Sequence, residues 1–159
     1  MGQLGLGLCP AVAGNHTIAT PTVIAALNAP VAEITCSGVH TLFRMADGSL
    51  YATGAQNSGQ LGAAGAVDDG SCLTSAESGD VLPPIRSLVP VKVQMSTPLG
   101  VTADLGDVVK AVAGASADSP LRKGYSAAIT ADGRLWTWGA ITSGSGTLFG
   151  TRVATETPF

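Results

Sequence analysis

The chain has 159 residues, of which 45% are apolar and 12% charged, with 8 lysines and arginines against 11 aspartates and glutamates. This length suits one domain or a piece of a larger protein, and the apolar fraction with a net charge of −3 excludes intrinsic disorder. The lack of a Lys/Arg cluster argues against nucleic-acid or acidic-membrane binding, and no apolar run is long enough for a membrane helix. Short runs rich in Val, Thr and Ala between 21 glycines indicate short strands joined by tight turns, so we expect an all-β chain.

The sequence repeats itself once, in two units of unequal length. Gly-Gln-Leu-Gly occurs at residues 2–5 and again at 59–62, an offset of 57, whereas Ala-Asp-Gly at 46–48 recurs at 131–133, an offset of 85. The second unit therefore carries 28 extra residues. Matching of apolar positions divides them into 12 before Pro90, 9 between Pro90 and Val112, and 7 between Val112 and Tyr125. We interpret the second unit as the first with three enlarged loops.

Each unit is expected to contain four short strands. An Asp-Gly pair between two apolar runs predicts a β-hairpin, because glycine accepts the positive φ that the turn needs. Pro21 and Pro90 each precede a further strand, since proline is tolerated at a strand's first residue. The expected strands are Thr22 to Ala26, Val31 to Cys36, Thr41 to Met45, Ser49 to Thr53, Val91 to Met95, Val108 to Ala113, Ser126 to Thr130 and Arg134 to Trp138. Four strands in a repeat of about 40–60 residues are typical of a β-propeller blade.

The motif order Gly-Gln-Leu-Gly, Pro-x-x-Val, His-Thr-Leu, Asp-Gly and Trp-x-Trp-Gly resembles the regulator of chromosome condensation (RCC1-like) repeat. The resemblance implies an all-β propeller arc, with a first repeat at 1–58, a second at 59–144 and the start of a third at 145–159. The sequence departs from the pattern at Ser37, Thr53, Gln56 and Tyr125, and the third Gly-Gln-Leu-Gly is blurred within 144–150. Because about three repeats are needed to stack stably, three interpretations stay open: a fragment of a longer propeller, completion by copies or partners, or an arc stable alone.

No arrangement of residues is typical of an enzyme, a cofactor site or a metal site. His40 occupies a repeat position, so we expect it to pack between blades rather than to act as a base. The glycine-rich stretch 144–150 lacks the Lys-Ser/Thr of a phosphate-binding loop and is interpreted as a link between blades. The acidic stretch around Asp68 and Asp69 matches no calcium-loop spacing and is interpreted as a solvated insertion. The chain is therefore predicted to be non-enzymatic, with neither cofactor nor metal.

The insertions are the better candidates for partner binding, because repeat proteins often carry insertions on their binding face. The candidate residues are Asp118, Arg122 and Lys123 in the loop 115–124, and Asp68 and Asp69 in the loop 63–88. A functionless loop is the alternative. Trp136 and Trp138 lie two apart on one strand, so they are expected to share a face and to pack between blades.

The expected function is a protein–protein interaction module that presents loops to a protein partner, with no nucleic acid bound and no membrane insertion. The alternatives are a guanine-nucleotide exchange factor for a small GTPase and a self-assembling structural component. The resemblance implies several uses of the scaffold: nucleotide exchange on a Ran-type GTPase with chromatin binding, adaptor roles beside ubiquitin-ligase domains, and secreted bacterial inhibition of β-lactamase. The composition resembles bacterial or surface-exposed members, while the cytoplasm stays open. The pairing of Cys9, Cys36 and Cys72 is also left open.

Overall fold

The computed structural model describes residues 2–8, 18–64, 86–96, 102–115, 124–142 and 148–156, and its regular structure there is entirely β. The strands are β1 (Val31–Cys36), β2 (His40–Met45), β3 (Leu50–Ala55), β4 (Arg86–Lys92), β5 (Gln94–Ser96), β6 (Thr102–Asp104), β7 (Val108–Ala115), β8 (Gly124–Thr130), β9 (Leu135–Thr142) and β10 (Leu148–Glu156). One sheet has the order β1-β2-β3-β4, which we name blade one. The other has the order β6-β5-β10-β9-β8-β7, and we name its β7–β10 part blade two. The all-β prediction is confirmed, and no helix within these ranges is long and apolar enough to cross a membrane.

Each blade is built around the expected Asp-Gly hairpin. Gly48 has φ +82° and donates its N–H to the carbonyl of Met45, and Gly133 has φ +83° and donates to the carbonyl of Thr130. The two turns share one hydrogen-bond pattern because both sequences place glycine where the backbone must turn left-handed. The hairpins β2–β3 and β8–β9 therefore match the sequence prediction.

The fourth strand of blade one comes from the second repeat. Strand β4 pairs antiparallel with β3, with Tyr51 opposite Lys92 and Gly54 opposite Ser87. Strand β10 takes the same place in blade two by pairing with β9. Repeats and blades are thus out of step: the first repeat supplies three strands, and the next repeat closes the sheet.

The predicted strand Thr22 to Ala26 is wrong. Residues 21–30 contain only turns and bends, and Leu27 donates its N–H to the carbonyl of Ile24. The physical reason lies in how the corresponding strand of the second repeat pairs: β4 pairs with β3 of the blade before it. Because Pro21 matches Pro90, this segment is the counterpart of β4, which needs a preceding blade as its partner, and the described residues contain no such blade. The other Pro-led prediction, Val91 to Met95, is divided by the structure between β4 and β5.

The middle insertion forms a hairpin instead of an irregular loop. Strand β5 pairs antiparallel with β6, with Met95 opposite Ala103, and Met95 also pairs in parallel with Ala154 of β10. The strand register also corrects the alignment of β1 with β7. Ala111 lies opposite Ala128 as Ile34 lies opposite Phe43, so Ala111 rather than Val112 is the counterpart of Ile34. The second insertion is therefore one residue shorter, and the third one residue longer, than sequence matching indicated.

The apolar core lies between the two blades. Its buried members are Leu42, Leu50, Ala52, Leu61, Ala63, Val93, Leu105, Val108, Ala111, Ala128, Trp136, Trp138 and Ala154. They come from β2 and β3 of blade one, from β7–β10 of blade two, and from the segments that join the blades. Burial of each large side chain contributes about 1.5–3 kcal/mol relative to exposure, so the junction between the blades is the main stabilising feature of the fold.

Candidate interaction site

The Gly-Gln-Leu-Gly motif at residues 59–62 forms a turn inserted at the junction. Gly59 donates its N–H to the carbonyl of Gln56, and Gly62 donates to the carbonyl of Gly59. The buried side chain of Gln56 closes the turn, because its Oε1 accepts from the N–H of Leu61 and its Nε2 donates to the carbonyl of Ala63, both at 2.8 Å. Gln56 therefore has a definite structural role at the position where the sequence departs from the RCC1-like pattern.

Blade two holds this turn through the carbonyl of Gln60. The Ser126 hydroxyl donates to that carbonyl at 2.9 Å, and the Trp138 indole Nε1 donates to it at 3.0 Å. Gly62 has φ +66°, and a Cβ there would lie only 2.8 Å from Trp138 Nε1 and 2.9 Å from Val93. The turn consequently requires glycine at this position, for both its conformation and its close approach.

His40 links the two blades through a buried chain of hydrogen bonds. Its Nδ1 lies 2.9 Å from Ser37 Oγ, and its Nε2 lies 2.8 Å from Ser126 Oγ of the other blade. Because the Ser126 hydroxyl donates to Gln60, it accepts from His40, which assigns the proton to Nε2 and leaves Nδ1 to accept from Ser37. Burial lowers the pKa of His40 from 6.5 to about 4, so the ring is neutral at pH 7. The expected packing role of His40 is confirmed.

Further polar contacts join β7 of blade two to β1 and to the Asp-Gly turn of blade one. Val108 donates its N–H to the carbonyl of Gly48 at 2.9 Å, and Ala113 donates to Thr35 Oγ1 at 3.2 Å. Glu33 of β1 accepts from Lys110 of β7 and, at 3.1 Å, from Arg44 of β2. Hydrogen bonds from Lys110 and then Arg44 lower the pKa of Glu33 below its ordinary value.

The first repeat builds the same turn on blade one. Thr41 donates its hydroxyl to the carbonyl of Gln3 at 2.9 Å, and Thr53 donates to the carbonyl of Gly2 at 2.8 Å. Thr41 is the counterpart of Ser126, and Thr53 that of Trp138. Hydroxyl donors thus hold the turn of the first repeat where a hydroxyl and an indole hold that of the second, which explains why Thr is accepted where the repeat pattern has Trp.

The expected roles of the two tryptophans are also confirmed. Both are buried in the core, and both lie on the face of blade two that meets blade one. The Trp136 indole donates to Thr130 Oγ1 at 3.3 Å, so each ring is fixed by packing and by one hydrogen bond. Both side chains are at most 5% exposed.

The predicted partner residues Asp68, Asp69, Asp118, Arg122 and Lys123 lie outside the described residues. The scaffold positions that flank their segments are described. The segment 116–123 leaves β7 at Ala115 and returns at Gly124, where a Cβ would lie 3.0 Å from the His40 ring. The segment 65–85 returns at Arg86, which pairs with Ala55. Both segments are therefore anchored at the ends of the strands near His40, and the Asp-Gly turns lie at the opposite ends of the strands.

A groove of about 580 Å³ was missed by the sequence analysis. It lies between the β5–β6 hairpin and the second Asp-Gly turn, and its lining residues include Met95, Asp104, Asp107, Asp132, Arg134 and Trp136. Two of its acidic side chains are paired within the chain: Lys92 donates to Asp104 at 2.7 Å, and Arg134 donates to Asp132 at 2.6 Å. Hydrogen bonds from Thr130 and then Arg134 lower the pKa of Asp132 to about 2. No sequence signal marks this groove, because it depends on how the inserted hairpin folds back.

Nothing in the described part of the chain indicates metal chemistry, since no group of three or more His, Cys, Asp or Glu residues could hold an ion there. Cys36 is a free, exposed thiol, and Cys9 and Cys72 lie outside the described residues. The junction holds His40 fully buried between the hydroxyls of Ser37 and Ser126.

The architecture of consecutive four-stranded blades is that of RCC1-like propellers, as comparison with solved structures shows. The chain matches yeast RCC1 (Prp20) in a crystal structure bound to Kap60, with 20% identity and a TM-score of 0.51, over 87% of this chain and 26% of that one. It matches human WBSCR16 with 21% identity and a TM-score of 0.50, over 83% and 26%. It also matches Prp20p from Saccharomyces cerevisiae with 18% identity and a TM-score of 0.52, over 81% and 26%.

The chain thus has an RCC1-like fold and spans about a quarter of the length of these proteins. No family model matches the sequence, and no curated protein matches it.

Proposed function

We propose that the chain is a non-enzymatic protein-binding module, in which the blades form a rigid scaffold and the insertions of the second repeat contact a protein partner. The observation that supports this function is the contrast between blades and connections. Strands β7–β9 repeat the register of β1–β3, and the two blades have the same Asp-Gly turn. The 28 extra residues of the second repeat lie in the connections between the matched strands or in the added β5–β6 hairpin. Connections carried by a rigid scaffold are where binding residues concentrate.

The proposed contact residues are Asp118, Arg122 and Lys123, together with Asp68 and Asp69. A chain with only 12% charged residues places charges of both signs within the short segment 116–123. Charged groups at an interface set partner choice and association rate more than affinity. The partner is accordingly expected to carry a surface of mixed charge near its binding site.

The solved structures are consistent with this class of function without naming the partner. One of them is a complex of Kap60 with yeast RCC1 (Prp20), and another is of Prp20p, a protein with binding properties to Gsp1p and histones. Those partners are partners of the yeast protein. For the present chain the likeness at 18–21% identity concerns the fold, so the partner is proposed only as a protein.

The test is site-specific photo-crosslinking in a lysate of the source cells. A photo-reactive amino acid replaces Arg122 in one variant. In the control it replaces Lys92, which lies at the end of β4 away from His40. A discrete adduct from position 122 that is absent from position 92, and that is reduced by Asp118→Asn and Lys123→Gln, is the expected result. Equal labelling at both positions, or none at 122, contradicts the proposal.

Exchange-factor activity is the alternative function. It predicts that the chain accelerates release of fluorescent GDP from a small GTPase of the Ran type. A release rate unchanged at saturating chain concentration rejects exchange activity and leaves the binding proposal to the crosslinking test.

A further inference from the structure

We draw no further inference here: the strongest candidate, the groove between the β5–β6 hairpin and the second Asp-Gly turn, is lined by an acidic cluster in which Asp104 and Asp132 are already paired within the chain, and no other feature of the described residues points to a ligand that would occupy it.

Discussion

Acid should destabilise the chain through His40, by an amount that its burial determines. The pKa of His40 is about 4 in the folded chain against 6.5 when exposed, because burial disfavours the charged ring. Since the folded value is the lower one, the unfolded chain takes up the proton first. The stabilisation from the neutral ring is complete above pH 6.5 and is lost as the pH falls from 6.5 toward 4. At about 1.4 kcal/mol per pKa unit, the loss reaches about 3 kcal/mol by pH 4.

The assay is urea unfolding at fixed protein concentration between about pH 7 and pH 4, for the unaltered chain and for His40→Phe. Phe cannot titrate, so the difference between the two pH profiles isolates His40 from the carboxylates. Glu33 also loses stabilisation in acid, because its pKa is lowered, but it does so in both proteins. Parallel profiles for the two proteins, or an NMR titration of His40 with a pKa near 6.5, would refute the buried hydrogen-bonded ring.

Two further predictions concern the same junction. Ser126→Ala leaves the buried Nε2–H of His40 without an acceptor and should lower the free energy of unfolding by about 1–3 kcal/mol. Ser49→Ala in an exposed turn is the control and should change the free energy of unfolding by less than about 0.5 kcal/mol. Equal effects of the two variants in urea titrations would contradict the buried chain of hydrogen bonds through His40. Gly62→Ala places a residue with a side chain at a positive φ, and its Cβ would meet Trp138. We expect the free energy of unfolding to fall by about 1–3 kcal/mol, with a change in tryptophan fluorescence. An unchanged urea midpoint would show that the turn is not inserted as described.

Local patterns of the sequence were sufficient to predict the strands whose partners lie nearby. The hairpins around Gly48 and Gly133 follow from Asp-Gly between apolar runs, and the pairing they impose is local. The packing of His40 and of the tryptophans followed from their matched places in the repeat. These predictions needed no knowledge of long-range pairing.

Long-range pairing is what the sequence did not reveal. Thr22 to Ala26 has the composition of a strand, but a strand needs a partner, and β3 pairs with β4 from the next repeat instead. The one-residue displacement at Ala111 has a similar cause. Apolar residues on both faces of the inner strands make neighbouring registers look alike, and only the ladder between Ala111 and Ala128 distinguishes them. The groove beside Asp132 depends on a hairpin fold that no motif marks.

The two RCC1-like blades are out of step with the repeats, because β4 of the second repeat closes blade one. The most direct measurement is the pattern of interstrand NMR contacts from β3 in the isotope-labelled chain. We expect contacts from Tyr51 to Lys92 and from Gly54 to Ser87. Contacts from β3 to residues 22–26 in place of β4 would contradict it, because blade one would then be closed by its own repeat.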